Sequence, residues 1–391
     1  MTTDDAPTDQ RSTNLGASGI PTRGTGRDLG PMRAPLETWL RQKTGNADVV
    51  VDSLEAPGAT GIANETILCS TSDGDLVLRV ESPDYLYKDA DLAIHAAMCA
   101  ALAPQHRVPV PEVVGFEDDP SLLGGRFYVM RAVAGEAAPD SPPYHSEGWV
   151  ADATVADRRA MWEHAVDTMA ALHATPTDRL DFLAAPDLGV TGLEQDLARW
   201  AAYRSWTLGG RPSPVIEAAE RWLLANVPDH RPTSLAWGDA RVGNMLFLDN
   251  RVTAVLDWDM VSLAGPESDL AWWTIMELLY TASAGVPVLE GIGTPEETVV
   301  RWEQTSGRAA RDLGFHVVFA SYRMACILTR LSDLFLARGL FDDDLAADLR
   351  TNNSGIQYLA GLLDLDHSGT LATPWPGLEL DLQLPTTPRR T

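Results

Sequence analysis

The chain has 391 residues, 45% of them hydrophobic, and sets 30 Lys and Arg against 55 Asp and Glu for a formal net charge of −25. That length suits two lobes sharing a cleft. The excess of acid excludes nucleic acid as the expected partner, because phosphate backbones are held by clustered Lys and Arg, and it is compatible with a cationic small molecule. In chain order, residues 1–30 are rich in Thr, Asp, Gly, Ser and Pro, which predicts a disordered tail. The opening M-T-T-D-D-A-P-T-D-Q-R lacks the basic start and apolar core of a signal peptide, so a cytoplasmic location is expected. No apolar run reaches the about 18 residues that a membrane span needs, so no membrane partner is expected. The composition leaves the oligomeric state open.

From Ala34, P-L-E-T-W-L-R-Q-K reads as a short amphipathic helix with Leu36, Trp39 and Leu40 on one face. Three β-runs follow: V-V-V-D-S-L, then A-P-G-A-T-G-I-A-N-E-T-I-L-C-S, then D-L-V-L-R-V. Gly58, Gly61 and Asn64 stand in the first half of the second run, where it joins the first and glycine would let backbone approach a phosphate; the same residues also suit an ordinary hairpin turn. In the third run Leu76, Leu78 and Val80 share one face and Val77 and Arg79 the other. A helix is expected from about Ala90 to Ala103, and no Glu occurs between Glu81 and Glu112. Arg126 to Met130 reads as a strand. After Pro139 the pattern turns helical, with Trp162, Val166, Met169, Leu172 and His173 recurring at spacings of three and four. Two more helices follow, E-Q-D-L-A-R-W-A-A-Y-R-S-W and one opened by Pro214. Helices are expected again from Asp269 to Tyr280, from Phe315 to Leu336 and from near Asp342, with a loop from Ala284 to Pro295. Residues 371–391 read as a Pro-rich tail. Cys69, Cys99 and Cys326 are scattered and suggest neither a zinc site nor a disulfide.

The chemistry concentrates in L-A-W-G-D-A-R-V-G-N-M-L-F-L-D-N-R-V-T-A-V-L-D-W-D, residues 235–259. Two apolar runs flank Asp249-Asn250 and propose a β-hairpin. The loop before its first strand and the residues after its second lie on one side, which brings Asp239, Asn244 and Asp257-Trp258-Asp259 together. Phosphoryl transfer needs this inventory: one carboxylate to orient and deprotonate the attacking hydroxyl, and an Asn and a second Asp to hold magnesium. In the protein-kinase catalytic loop H-R-D-x-x-x-x-N the Asn follows the Asp by five positions, as Asn244 follows Asp239. Arg241 adds a fixed positive charge on the path of a transferring phosphoryl group.

The pattern W-G-D-x-R-x-G-N, a strand, then D-W-D resembles the aminoglycoside phosphotransferase and choline-kinase superfamily, in particular its actinobacterial members and the kinase domains related to acyl-CoA-dehydrogenase fusions. The likeness runs with gaps from about Leu54 to about Leu340. It implies an α+β, two-lobed kinase-like fold, with a sheet-rich lobe over residues 31–132 and a helical lobe over 133–370. It also implies transfer of the ATP (or GTP) γ-phosphate to a small-molecule hydroxyl with Mg2+. Asp239 and Arg241 are then the expected catalytic residues, and Asn244 and Asp257 the metal ligands. Gly61, Asn64, Glu65, Thr66 and Arg79 are expected on the nucleotide phosphates, and Arg131 and Val133 in the connection along which adenine lies. Arg79 stands where kinases place a Lys, although an exposed strand Arg is the alternative, with Lys88 as the next candidate cation. His95 lies near the position of the missing helix Glu. Asp269 is expected to support the catalytic loop through backbone hydrogen bonds. Glu277, Asp342, Asp343 and Asp344 could attract amines, although solvated surface is the simpler reading for each. The competing functions are a hydroxyacyl-CoA kinase, a nucleotide-binding pseudokinase and, remotely, a hydrolase using Asp257 and Asp259.

Overall fold

The structure, a computed structural model, describes residues 27–57, 63–82, 84, 86–88 and 90–367. The tails expected over 1–30 and 371–391 lie outside the described residues, apart from 27–30, and so does Gly61. In the small lobe a helix, α1 (Arg33–Thr44), is followed by β1 (Val51–Glu55), β2 (Asn64–Thr71), β3 (Gly74–Glu81), α2 (Leu92–Leu102), β4 (Val113–Glu117) and β5 (Phe127–Arg131). The five strands form one antiparallel sheet in the order β1-β2-β3-β5-β4.

Alternation along β3 decides what each sheet face does. Leu76, Leu78 and Val80 are buried against Leu36, Trp39 and Leu40 of α1, with Ile67, Cys69, Phe127 and Val129 completing that layer. Each fully buried aliphatic there contributes about 1.5–3 kcal/mol. The opposite face carries Val77 and Arg79, and its apolar part, with Tyr128 and Met130, is covered by Leu92 and Ala96 of α2. The register sets Thr66 opposite Arg79. Asp91 caps α2 by accepting from the Ala93 N–H at 3.0 Å.

The large lobe opens with β6 (Glu136–Ala137), α3 (Trp149–Asp152), α4 (Val155–His173), α5 (Gly192–Leu208) and α6 (Pro214–Ala225). A hairpin, β7 (Met245–Leu248) and β8 (Arg251–Val255), then joins β6 in a three-stranded sheet. Its turn residues Asp249 and Asn250 have φ of 50° and 61°. Two successive left-handed residues match the twist of the flanking strands, and short Asx side chains tolerate them. The chain ends in α7 (Pro266–Tyr280), α8 (Pro295–Ser306), α9 (Leu313–Ala337), α10 (Asp343–Asn352) and α11 (Ser354–Leu362). α9 is apolar around most of its circumference because α5, α6, α7, α10 and α11 all pack on it. Sequence periodicity alone passed over α8, although Thr294 and Glu297 form a capping box at its start. Among the described residues no helix is long and apolar enough to cross a membrane.

Candidate active site

The loop that carries Asp239 is built before its chemistry is considered. Asp269, in the first turn of α7 and fully buried, accepts from the Trp237 N–H at 2.6 Å, the Gly238 N–H at 2.8 Å and His173 Nε2 at 2.8 Å. This is the supporting role expected for Asp269. Trp237 Nε1 donates to the carbonyls of Leu256 and Asp257, both at 2.9 Å, which ties this loop to the one after β8. Gly238 has φ 94°, and a Cβ there would run into the Met260 carbonyl. Its own carbonyl accepts from Arg323 at 2.7 Å. Arg323 is buried in α9 and lies 4.6 Å from the ring of Trp272. Gly238→Ala combines a strained φ with an unrelieved clash, so it is expected to cost about 3 kcal/mol or more, read as a lower denaturant midpoint.

Asp239 is held at both carboxylate oxygens. Trp272 Nε1 donates to Oδ1 at 2.7 Å, while Asn244 Nδ2 and Arg241 Nε donate to Oδ2 at 2.6 and 3.1 Å. Each carboxylate oxygen has two lone pairs, so Oδ2 is filled and Oδ1 keeps one. Trp272 was not anticipated, since nothing in a Trp-Trp pair 33 positions away marks it as a partner of Asp239. Arg241 donates through Nη1 to Asp140 at 2.5 Å and to the Tyr280 hydroxyl at 3.0 Å, and Tyr280 in turn donates to Asp140 at 2.7 Å. Burial opposes the Arg241 charge, but Asp140, Tyr280 and Asp239 outweigh it and hold its pKa well above the ordinary value. Its Nη2 protons are not used by these contacts. Asp140 and Tyr280 were also missed, lying 101 and 39 positions from Arg241.

Asn244 uses Nδ2 on the carbonyl and carboxylate of Asp239, so Oδ1 is the atom it can offer a cation. Its backbone carbonyl accepts from Leu256 N–H at 2.9 Å, next to Asp257. Asp257 has φ 61°, and its carboxylate lies 4.0 Å from Arg79 Nη2. Burial, reinforced by the neighbouring Asp259 carboxylate, pushes the Asp257 pKa up. Asn244 Oδ1 and the Asp257 carboxylate are hard oxygen donors, the kind a magnesium ion takes. His95, Asp257 and Asp259 also bring ligand atoms within 4.8 Å of one another.

The small lobe supplies Arg79, Thr66 and Asn64 from one sheet face. Arg79 Nη1 donates to Thr66 Oγ1 at 2.7 Å, and Asn64 Nδ2 donates to Asp259 at 3.2 Å. Glu65 is set apart, because strand alternation sends it to the other face, where Arg27 donates to it at 2.6 Å. The Arg131 side chain reaches away to Asp73 at 3.0 Å, leaving only its backbone, with Val133, in the connection between lobes. His95 pairs with Asp259 Oδ1 at 3.0 Å and not with Arg79. Glu277 is buried between the Tyr144 hydroxyl and His145 Nε2, so its charge serves the interior and not an incoming amine.

Against known proteins, the chain is 25% identical over 250 residues to human acyl-CoA dehydrogenase family member 11, covering 63% of this chain and 30% of that one. It spans less than two fifths of the length of the curated relatives it matches. A candidate aminoglycoside phosphotransferase from Ralstonia eutropha superposes with a TM-score of 0.61 at 24% identity, over 83% of this chain and 97% of that chain. A thermostable mutant of aminoglycoside phosphotransferase APH(4)-Ia, in ternary complex with AMP-PNP and hygromycin B, superposes with a TM-score of 0.51 at 17% identity, over 86% and 100%. These two likenesses establish the two-lobed kinase-like fold. The family model described as the phosphotransferase enzyme family matches residues 56–298, and with that span covering β2 to β5, the connection and the whole Asp239 to Asp269 segment, the chain belongs to the phosphotransferase enzyme family.

Proposed function

We propose that the protein transfers the γ-phosphoryl group of magnesium-ATP to a hydroxyl of a small molecule. The carrying observation is the carboxylate of Asp239, fixed by Trp272, Asn244 and Arg241 with one lone pair of Oδ1 left unused by them. An acceptor hydroxyl bonded there gives its proton to Asp239 as its oxygen bonds to the γ-phosphorus and the nucleoside diphosphate leaves. Arg241 orients Asp239 and offers its Nη2 protons to the transferring oxygens. Asn244 and Asp257 would hold the magnesium, whose contribution is to neutralise phosphate charge. Calorimetry tests this reading: ATP should bind tightly with magnesium and weakly in chelator, and equal affinity in both would refute it. GTP in the same cell reports the base preference. The names of the curated relatives support a narrower acceptor, a hydroxyl-bearing acyl-CoA thioester, which free coenzyme A should then inhibit competitively.

Arg79 is assigned to the nucleotide phosphates, because it shares a sheet face with Thr66 and points across the cleft to Asp257. Arg79→Ala is expected to raise the Michaelis constant for ATP about 10- to 100-fold, the scale of a lost charge-assisted hydrogen bond. Arg79→Lys should fall between, since an ammonium cannot donate in the bidentate manner. Melting temperature should hold, and an early-melting Arg79→Ala with normal kinetics would move the phosphate cation elsewhere.

A further inference from the structure

We propose that Asp259, His95 and Asn64 form a latch between the two lobes, and that Asp259 is a positioning residue and not a metal ligand. The inference rests on the phosphotransferase reading and adds to it how the phosphate-facing strand and the metal-facing loop are kept in register.

Three distant pieces of chain meet at one carboxylate. Asp259 follows β8 in the large lobe, Asn64 opens β2, and His95 lies in the first half of α2. Asp259 Oδ1 accepts from His95 Nε2 at 3.0 Å and Asn64 Nδ2 at 3.2 Å, and Oδ2 is 3.4 Å from the same Asn64 nitrogen. The side chains of His95 and Asp259 are 1% and 4% exposed, and Asn64 is buried with them. A carboxylate so far from water is tolerable only where donors surround it, and here both side-chain donors come from the other lobe. Separating the lobes would strip Asp259 of both.

The pairing also accounts for a gap in the small lobe. A kinase-like fold ties its phosphate-binding cation to a Glu of the adjacent helix, yet α2 has no Glu, and Arg79 is steadied by Thr66 instead. The tie from α2 therefore runs directly to the large lobe, ending two residues from Asp257. A metal shared by His95, Asp257 and Asp259 is the competing reading. An Nε2 that donates to Asp259 cannot ligate at the same time, whereas the Asp257 carboxylate takes a long hydrogen bond from the Asp259 N–H at 3.4 Å and meets its nearest described cation at 4.0 Å.

A double-mutant cycle on His95→Leu and Asp259→Leu, read by melting of the free protein and by calorimetry with ATP in magnesium and in manganese, tests the latch. Each single variant should weaken magnesium-ATP about tenfold. The double variant should bind no worse than either single and melt above His95→Leu, which leaves the buried Asp259 carboxylate with Asn64 as its remaining side-chain donor. His95→Gln, which keeps a donor near the Nε2 position, should recover most of the binding. The ratio of magnesium to manganese affinity should not move. The latch is overturned if Asp259→Leu alone abolishes binding or changes that ratio, if the two effects add in full, or if His95→Leu melts early yet binds normally. Wild-type protein that binds no nucleotide would refute the phosphotransferase reading, and the melting cycle would still decide the latch, non-additive melting supporting it and additive melting overturning it.

Discussion

Asp239→Asn will lower turnover by about 10²- to 10⁴-fold, the scale of a lost general base, with magnesium-ATP affinity nearly unchanged. The amide keeps the shape of the carboxylate, so Trp272 can still donate to its oxygen, but it cannot take the acceptor's proton. It also turns an N–H2 group toward Asn244 or Arg241, which donated to Oδ2. That local mismatch should appear as a modest loss of melting temperature, and it is confined to the loop because Asp269 holds Trp237 and Gly238 independently. Steady-state kinetics and calorimetry on the one variant separate the two quantities. A variant that loses nucleotide binding in proportion to turnover would place Asp239 on the metal.

Asp257→Asn is expected to do the reverse. Losing an outer partner of a metal ligand costs about 10- to 100-fold in affinity, so losing a ligand should weaken magnesium-nucleotide binding by about 100-fold or more. The free protein should melt no earlier than wild type, and this sign follows from electrostatics. Burial and the nearby Asp259 carboxylate raise the Asp257 pKa, so the folded protein holds that charge at a disadvantage which a neutral amide removes. Differential scanning calorimetry without metal checks the second half. Early melting with intact magnesium-ATP binding would make Asp257 a structural residue.

Local pattern carried much of this site. The β7-β8 hairpin was legible because Asp249-Asn250 is a turn pair between two apolar runs, and the spacing from Asp239 to Asn244 is a property of one short loop. The supporting role of Asp269 was legible only through the resemblance to kinase-like folds, in which the Asp after this segment holds the catalytic loop. Other features arise only when the chain folds. Trp272 on Asp239, Asp140 and Tyr280 on Arg241, and His95 on Asp259 join residues from 33 to 164 positions apart, and no periodicity encodes such pairs. Glu65 shows a limit of motif transfer: Asn64 and Thr66 share the cleft face, and the residue between them must leave it. Glu277 shows another, since its acidity suggested solvated surface or a lure for amines, while Tyr144 and His145 enclose it.

The central claim is that this cleft moves a phosphoryl group from a metal-bound nucleotide to a hydroxyl, and the direct measurement is a metabolite-pool incubation with ATP labelled at the γ-phosphate. The account predicts a labelled phosphate ester that forms with wild-type protein and magnesium, and that is missing in chelator and with Asp239→Asn. Label released only as inorganic phosphate, or an ester formed equally well by Asp239→Asn, would contradict it.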